Sequence, residues 1–266
     1  MSLGVRFFPL FIMVLSILTP VYGQSKLTLT RPEYIQIGQR IWQNECAGTV
    51  NGLTSWNSGE EFMSLGIGHF IWYPKGKEYA FAESFPPFVK FAASKGCKLP
   101  AALLGAHPDC PWNTKAEFQK AFNSPTMTSI RTFLKDTVSL QAEFIAQRLE
   151  ASLPKMQAII AGDQRASIEK RFYLVAGTPG GMYALMDYVN FKGEGIKETE
   201  RYKGQGWGLL QVLQGMKPVG TPEAALAEFR SSAAFVLRQR IKNSPPARGE
   251  NRWEAGWMNR VDTYRN

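Results

Sequence analysis

A chain of 266 residues with 44% apolar and 20% charged residues can bury a sizeable core, which excludes a disordered or fibrous protein. Its 31 Lys and Arg against 22 Asp and Glu leave a formal net charge of +9, a surface that favours anionic partners, while the lack of a dense Lys/Arg run argues against nucleic acid. The two histidines, His69 and His107, are not at metal-ligand spacing, so neither a metal nor a cofactor is expected.

In chain order, residues 1–23 carry a single charge, Arg6, an apolar run from Phe7 to Leu18, and the small-residue ending "TPVYG". They read as a signal peptide cleaved after Gly23, because the run is interrupted by Pro9 and falls short of the roughly 20 residues that span a bilayer. The mature chain, 24–266, keeps a charge of about +8 and shows no linker, repeat or charge block. One secreted or periplasmic domain is expected, monomeric and not inserted in a membrane.

"TRPE" predicts the first helix, with Thr30 as N-cap, Pro32 in the first turn and Glu33 closing a capping box; Tyr34, Ile37, Ile41 and Trp42 then recur at helical spacing. Glu45 continues that inward stripe at the helix C-terminus, where the macrodipole disfavours a carboxylate. From Gly48 to Tyr73, turn formers and the glycine-interrupted "FMSLGIGHFIWY" predict irregular strands. Helices follow in "SFPPFVKFAASKG", in "NTKAEFQKAF" behind a Thr114/Glu117 capping box, in "TVSLQAEFIAQRLEASL", and over 164–176, 180–191, 207–215, 222–242 and 253–264. In the last of these, Trp253, Trp257 and Val261 are read as packed inward and Arg252 and Arg260 as solvated. The expected fold is α+β and predominantly α, with a small β region behind the first long helix.

Of three cysteines, Cys97 and Cys110 bracket a 12-residue loop and are read as a disulfide, leaving Cys46 as a buried core thiol beside Glu45. An inward carboxyl at a helix end, desolvated against apolar neighbours, suits a general acid that must hold its proton near neutral pH. Glu45, a glycine-rich stretch and then "SLGIGH" (Ser64 to His69) resemble the Glu-then-"TIGIGH" signature of phage-type lysozymes, within the lysozyme-like superfamily that also holds lytic transglycosylases and chitosanases. The resemblance implies Glu45 as general acid, Ser64 in place of the Thr near the attacking water, His69 as the structural histidine of the motif, and a β-hairpin walling a sugar cleft. It covers about 30 residues.

The family's Asp lies six residues before its Thr, where this chain has Ser58; the nearest carboxylates are Glu60 and Glu61, candidates for the second catalytic group. If neither reaches the cleft, a single acid is implied, as in lytic transglycosylases. Trp56, Ser58, His69 and Tyr73 are candidate substrate contacts, with core packing as the commoner fate of such aromatics. "ERYKGQGWGLLQVLQGM" (Glu200 to Met216) resembles the transglycosylase "GLMQ" element, in whose frame Glu200 or Glu194 would be the acid; a packed helix entry with Trp207 and Gln211 lining the cleft is preferred. Asp187 and Tyr188 in "DYVNFKGEG" are either sugar contacts or surface residues of a helix. The expected activity is cleavage of an amino-sugar polymer, peptidoglycan foremost, since polycationic chitosan would be repelled. The alternative is a non-catalytic glycan-binding protein of the cell envelope.

Overall fold

The computed structural model of the chain describes residues 27, 29–77, 83–105 and 107–266. The expected signal segment lies outside them. Helix α1 (Arg31–Cys46) begins as its sequence dictates: the Thr30 backbone N–H and hydroxyl both donate to the Glu33 carboxylate at 2.7 Å, and Pro32 sits in the first turn. Ile37, Gly38 and Ile41 are buried on one face, and α1 packs along α5 (Val138–Ala158). Gly38 permits that approach, because a Cβ there would stand 2.9 Å from Val138 Cγ1. The helix stops at Ala47, which turns left-handed at φ 52°.

The chain then forms a three-stranded antiparallel sheet, β1 (Thr54–Ser55), β2 (Met63–Leu65) and β3 (Phe70–Trp72), in that order. Ser64 pairs with Ser55 on one side and Ile71 on the other. The turn between β2 and β3 carries the "GIGH" residues. Gly66 has φ 68°, and any Cβ there would collide with the carboxamide of Gln141. That buried carboxamide accepts from Ile67 N at 2.8 Å and donates to Leu134 O at 2.6 Å, clamping the turn to the helices behind it. Arg131 holds the other edge: its Nε donates to Thr54 Oγ1 and its Nη1 to Phe122 O, each at 2.8 Å, with the guanidinium 3.8 Å over the Phe122 ring.

The rest is helical: α2 (Phe85–Ser94), α3 (Lys115–Lys120), α4 (Pro125–Asp136), α6 (Gly162–Ala176), α7 (Pro179–Lys192), α8 (Leu209–Gly215), α9 (Pro222–Asn243) and α10 (Glu254–Val261). A short hairpin, β4 (Arg201–Tyr202) and β5 (Gln205–Gly206), precedes α8. The fold is therefore α+β, predominantly α, and buried apolar side chains from Ile37 to Tyr264 form one cluster. Two elements go beyond the expected set. Helix α4 starts at Ser124, whose Oγ accepts from Met127 N at 3.2 Å, followed by Pro125. The β4–β5 turn is Lys203-Gly204, both at positive φ, the geometry of a tight hairpin. Among the described residues no helix is long and apolar enough to cross a membrane.

The expected Cys97–Cys110 disulfide is absent, and all three cysteines are free. Cys110 is buried with its Sγ 3.3 Å from Trp112 O and 3.5 Å from Met63 Sδ. Cys97 instead closes α2 through its N–H to Ala92 O, beside Tyr34 and Leu140. The loop is held by other means, including a 2.8 Å bond from Trp72 Nε1 to Pro108 O.

Gly66→Ala is expected to cost roughly 2–4 kcal/mol, the sum of a left-handed alanine and a displaced buried carboxamide. Urea denaturation reads it, and a loss below about 1 kcal/mol would show that the turn does not depend on this contact.

Candidate active site

The C-terminal turn of α1 brings Glu45 to the junction of β3, α7 and α10. Its side chain is 11% exposed, neither in bulk water nor sealed. Oε1 is taken by the Arg260 Nη2 of α10 and approached by Asn190 Nδ2 of α7 at 3.5 Å; Oε2 faces His69 Nδ1 at 3.8 Å. His69 follows the "GIG" turn in a left-handed conformation, φ 44°, with its ring 32% exposed. The carboxyl thus meets a guanidinium where an apolar wall was expected, which corrects the premise of simple desolvation.

Behind Arg260 lies Asp187, fully buried on α7. Arg260 Nε and Nη2 each donate to one Asp187 oxygen at 2.8 Å, and Tyr264 OH donates to Oδ2 at 2.7 Å. The Phe191 ring lies 4.1 Å beneath the guanidinium. Burial would pull the Arg260 pKa down, but Asp187 and Glu45 hold it above its ordinary value. Burial pushes the Asp187 carboxyl up, and Arg260 and Tyr264 oppose it; the two-pronged geometry is that of a carboxylate. Neither a solvated Arg260 nor a surface Asp187 survives the structure. The spacing itself carries the inward signal, since Trp257, Arg260, Val261 and Tyr264 recur at helical intervals, as do Tyr183 and Asp187. Asn190 had no such signal, since its role depends on where α7 crosses α1.

The floor of the site is tied from both ends of the chain. Asn44 hydrogen-bonds the Tyr183 hydroxyl, which meets Thr263 Oγ1 at 3.0 Å, and Arg40 Nη2 donates to Thr263 O at 2.7 Å. Beside Arg260, the Lys192 ammonium sits 3.6 Å over Trp257 and 3.8 Å over Phe191. Burial, with Arg240 and Arg260 nearby, brings the Lys192 pKa down to about 6; the two ring faces offset part of that cost. Cys46, next to Glu45, is buried with its Sγ 3.7 Å from Gly66 O, and burial pushes the thiol up to about 12, which fits a core residue and no nucleophile.

Other expected site residues are not gathered here. Ser64 is only 3% exposed within the sheet, so it does not face an open cleft. Glu60 and Glu61 lie in the 56–62 connection, at the end of β2 opposite His69; Glu60 is engaged by Asn57 Nδ2 at 3.0 Å and Trp56 Nε1 by Glu60 O at 2.8 Å. Ser58 accepts from Lys115 Nζ at 3.0 Å. Trp56 and Tyr73 are buried, the first packed on Phe118 and the second edge-on to Phe62, so they are core and not sugar platforms. Trp207 is buried against Tyr202 and Arg240, and Gln211 spends its amide on Gly195 O and Gly208 N, so both are engaged in packing the helix entry. No group of three or more metal-ligating side chains occurs among the described residues.

Asp187→Asn is expected to cost about 3–5 kcal/mol, the usual cost of stranding one member of a buried ion pair; a urea midpoint unchanged from wild type would refute the shared-guanidinium account. Lys192→Met should raise Tm, more at pH 5 than at pH 9.5. The folded pKa of about 6 lies below the unfolded value, so the unfolded chain binds more protons between them, and this group's cost is full below pH 6 and fades as pH rises. An equal gain at both pH values would contradict that burial.

Comparison with protein-family models, with curated proteins and with solved structures returns no match, so the site stands on its own geometry.

Proposed function

We propose that the chain is an exported glycan-cleaving enzyme, with Glu45 as the acid that protonates the leaving oxygen of an amino-sugar polymer, peptidoglycan foremost. The supporting observation is the asymmetric seating of one carboxyl: Oε1 is held by Arg260 and Asn190, and Oε2 is turned to the "SLGIGH" hairpin. An oxygen fixed on one side leaves the other to exchange a proton with a bound sugar, and positioning of this kind is what general acid catalysis needs. Arg260 acts as a positioning residue, itself located by Asp187 and Tyr264.

Among the described residues the contacts of Glu45 include no second carboxylate, and Asp187 is sealed behind Arg260. Glu60 and Glu61 sit at the far end of β2. A single acid that later serves as base fits this arrangement, with the sugar's own groups completing the reaction, the lytic transglycosylase pattern within the lysozyme-like resemblance. The basic surface favours an anionic wall polymer over chitosan.

Incubating the protein with cell-wall sacculi is expected to release sugars with anhydro ends, and Glu45→Gln to slow release by about 100-fold or more. Reducing ends would place a second carboxylate or an activated water in the site. Binding without release, equal in both proteins, would leave only the non-catalytic glycan-binding alternative.

A further inference from the structure

Asn190 has Glu45 on one side and, on the other, a cavity of about 270 Å³. One wall is α5, through Ile145, Arg148 and Lys155; the rim is the 193–200 loop. Three cations face two carboxylates in this cavity. Lys155 is paired with Glu194 at 2.9 Å and Lys197 with Glu200 at 3.9 Å. Arg148 is left over: among the described residues its guanidinium makes no hydrogen bond and no ion pair, and the one charge that acts on it is the already paired Glu194. The residue is exposed, so water reaches the guanidinium, while its packing against the cavity wall pulls its pKa down. Burial pushes the Glu200 carboxyl up and Lys197 opposes it, so the two rim carboxylates are each matched by a lysine and the Arg148 charge is the one in excess.

We propose that this cavity, lined by the Asn190 that also approaches Glu45, is a subsite for a carboxylate carried by the substrate, with Arg148 as its two-pronged partner. It rests on the glycan reading of Glu45 and adds to it the substrate group that is recognised and the residue that takes it. A guanidinium fork matches a carboxylate in shape as well as charge. Peptidoglycan carries such groups on the peptide arms of alternate sugars; chitin has none, and chitosan presents ammonium groups instead. Arg148 therefore selects polymers with acidic side arms.

The test uses the full chain in a Glu45→Gln background, so that binding is read without turnover. The probes are sacculi and the same sacculi with their carboxyls converted to methylamides. Arg148→Gln is expected to weaken binding to native sacculi roughly tenfold, the size of one lost charge-assisted hydrogen bond, and to leave binding to the methylamidated ones unchanged. Arg148→Lys should recover part of the loss. Arg165→Gln, which removes an exposed charge from α6, controls for net charge. Native and methylamidated sacculi bound alike by the Glu45→Gln protein, or a loss on Arg148→Gln no greater than on Arg165→Gln, would overturn the subsite. Sacculi left uncut by the wild-type protein, with the Arg148 discrimination intact, would instead refute the catalytic reading alone.

Discussion

One guanidinium holds this site together. Arg260 bridges two carboxylates that would otherwise repel each other, Asp187 from α7 and Glu45 from α1, and it does so from a third helix. A buried ion pair rarely adds net stability over an apolar replacement, because desolvation consumes the Coulombic gain. Its value lies in specificity. Three helices can pack in many slightly different ways through aliphatic contacts, but only one arrangement satisfies a fork with two oxygens on one side and a single oxygen on the other. Tyr264 and the Phe191 ring narrow the choice further.

The sheet imposes a second constraint of a different kind. The β2–β3 turn cannot accept a side chain at Gly66, because the Gln141 carboxamide occupies that space and satisfies the turn's own backbone. His69 is thereby delivered to Glu45 by a turn anchored on the Gln141 carboxamide. The motif glycine and the motif histidine are thus two ends of one device, with the central α5 helix as its anvil.

Local signals carried much of the fold. Capping residues and proline starts marked α1, α2, α3 and α9 within a residue or two, since a helix end must satisfy its free N–H groups with whatever lies adjacent in sequence. The same grammar is present at Ser124-Pro125 before α4 and at Lys203-Gly204 in the hairpin, neither of which is among the expected elements. The inward aim of Glu45 was likewise readable from Ile41 and Trp42. Its partners were not, because Asn190 and Arg260 reach it across 145 and 215 residues. The aromatics stayed between two fates for a related reason: Trp56 and Tyr73 look the same in sequence whether they face a sugar or, as found, a core. The cysteine pairing failed because loop length fixes only the entropy of closure, while the bond needs two thiols that face each other.

The Glu45–Arg260 contact also orders events in time. A polypeptide is made from its N-terminus, so the carboxyl emerges early and its guanidinium partner only after 215 further residues. Until α10 docks, α1 and the hairpin can form, yet Glu45 swings free and Asp187 lacks its counter-charge. The charge arrangement around the two carboxylates is consequently complete only once the last helix is in place.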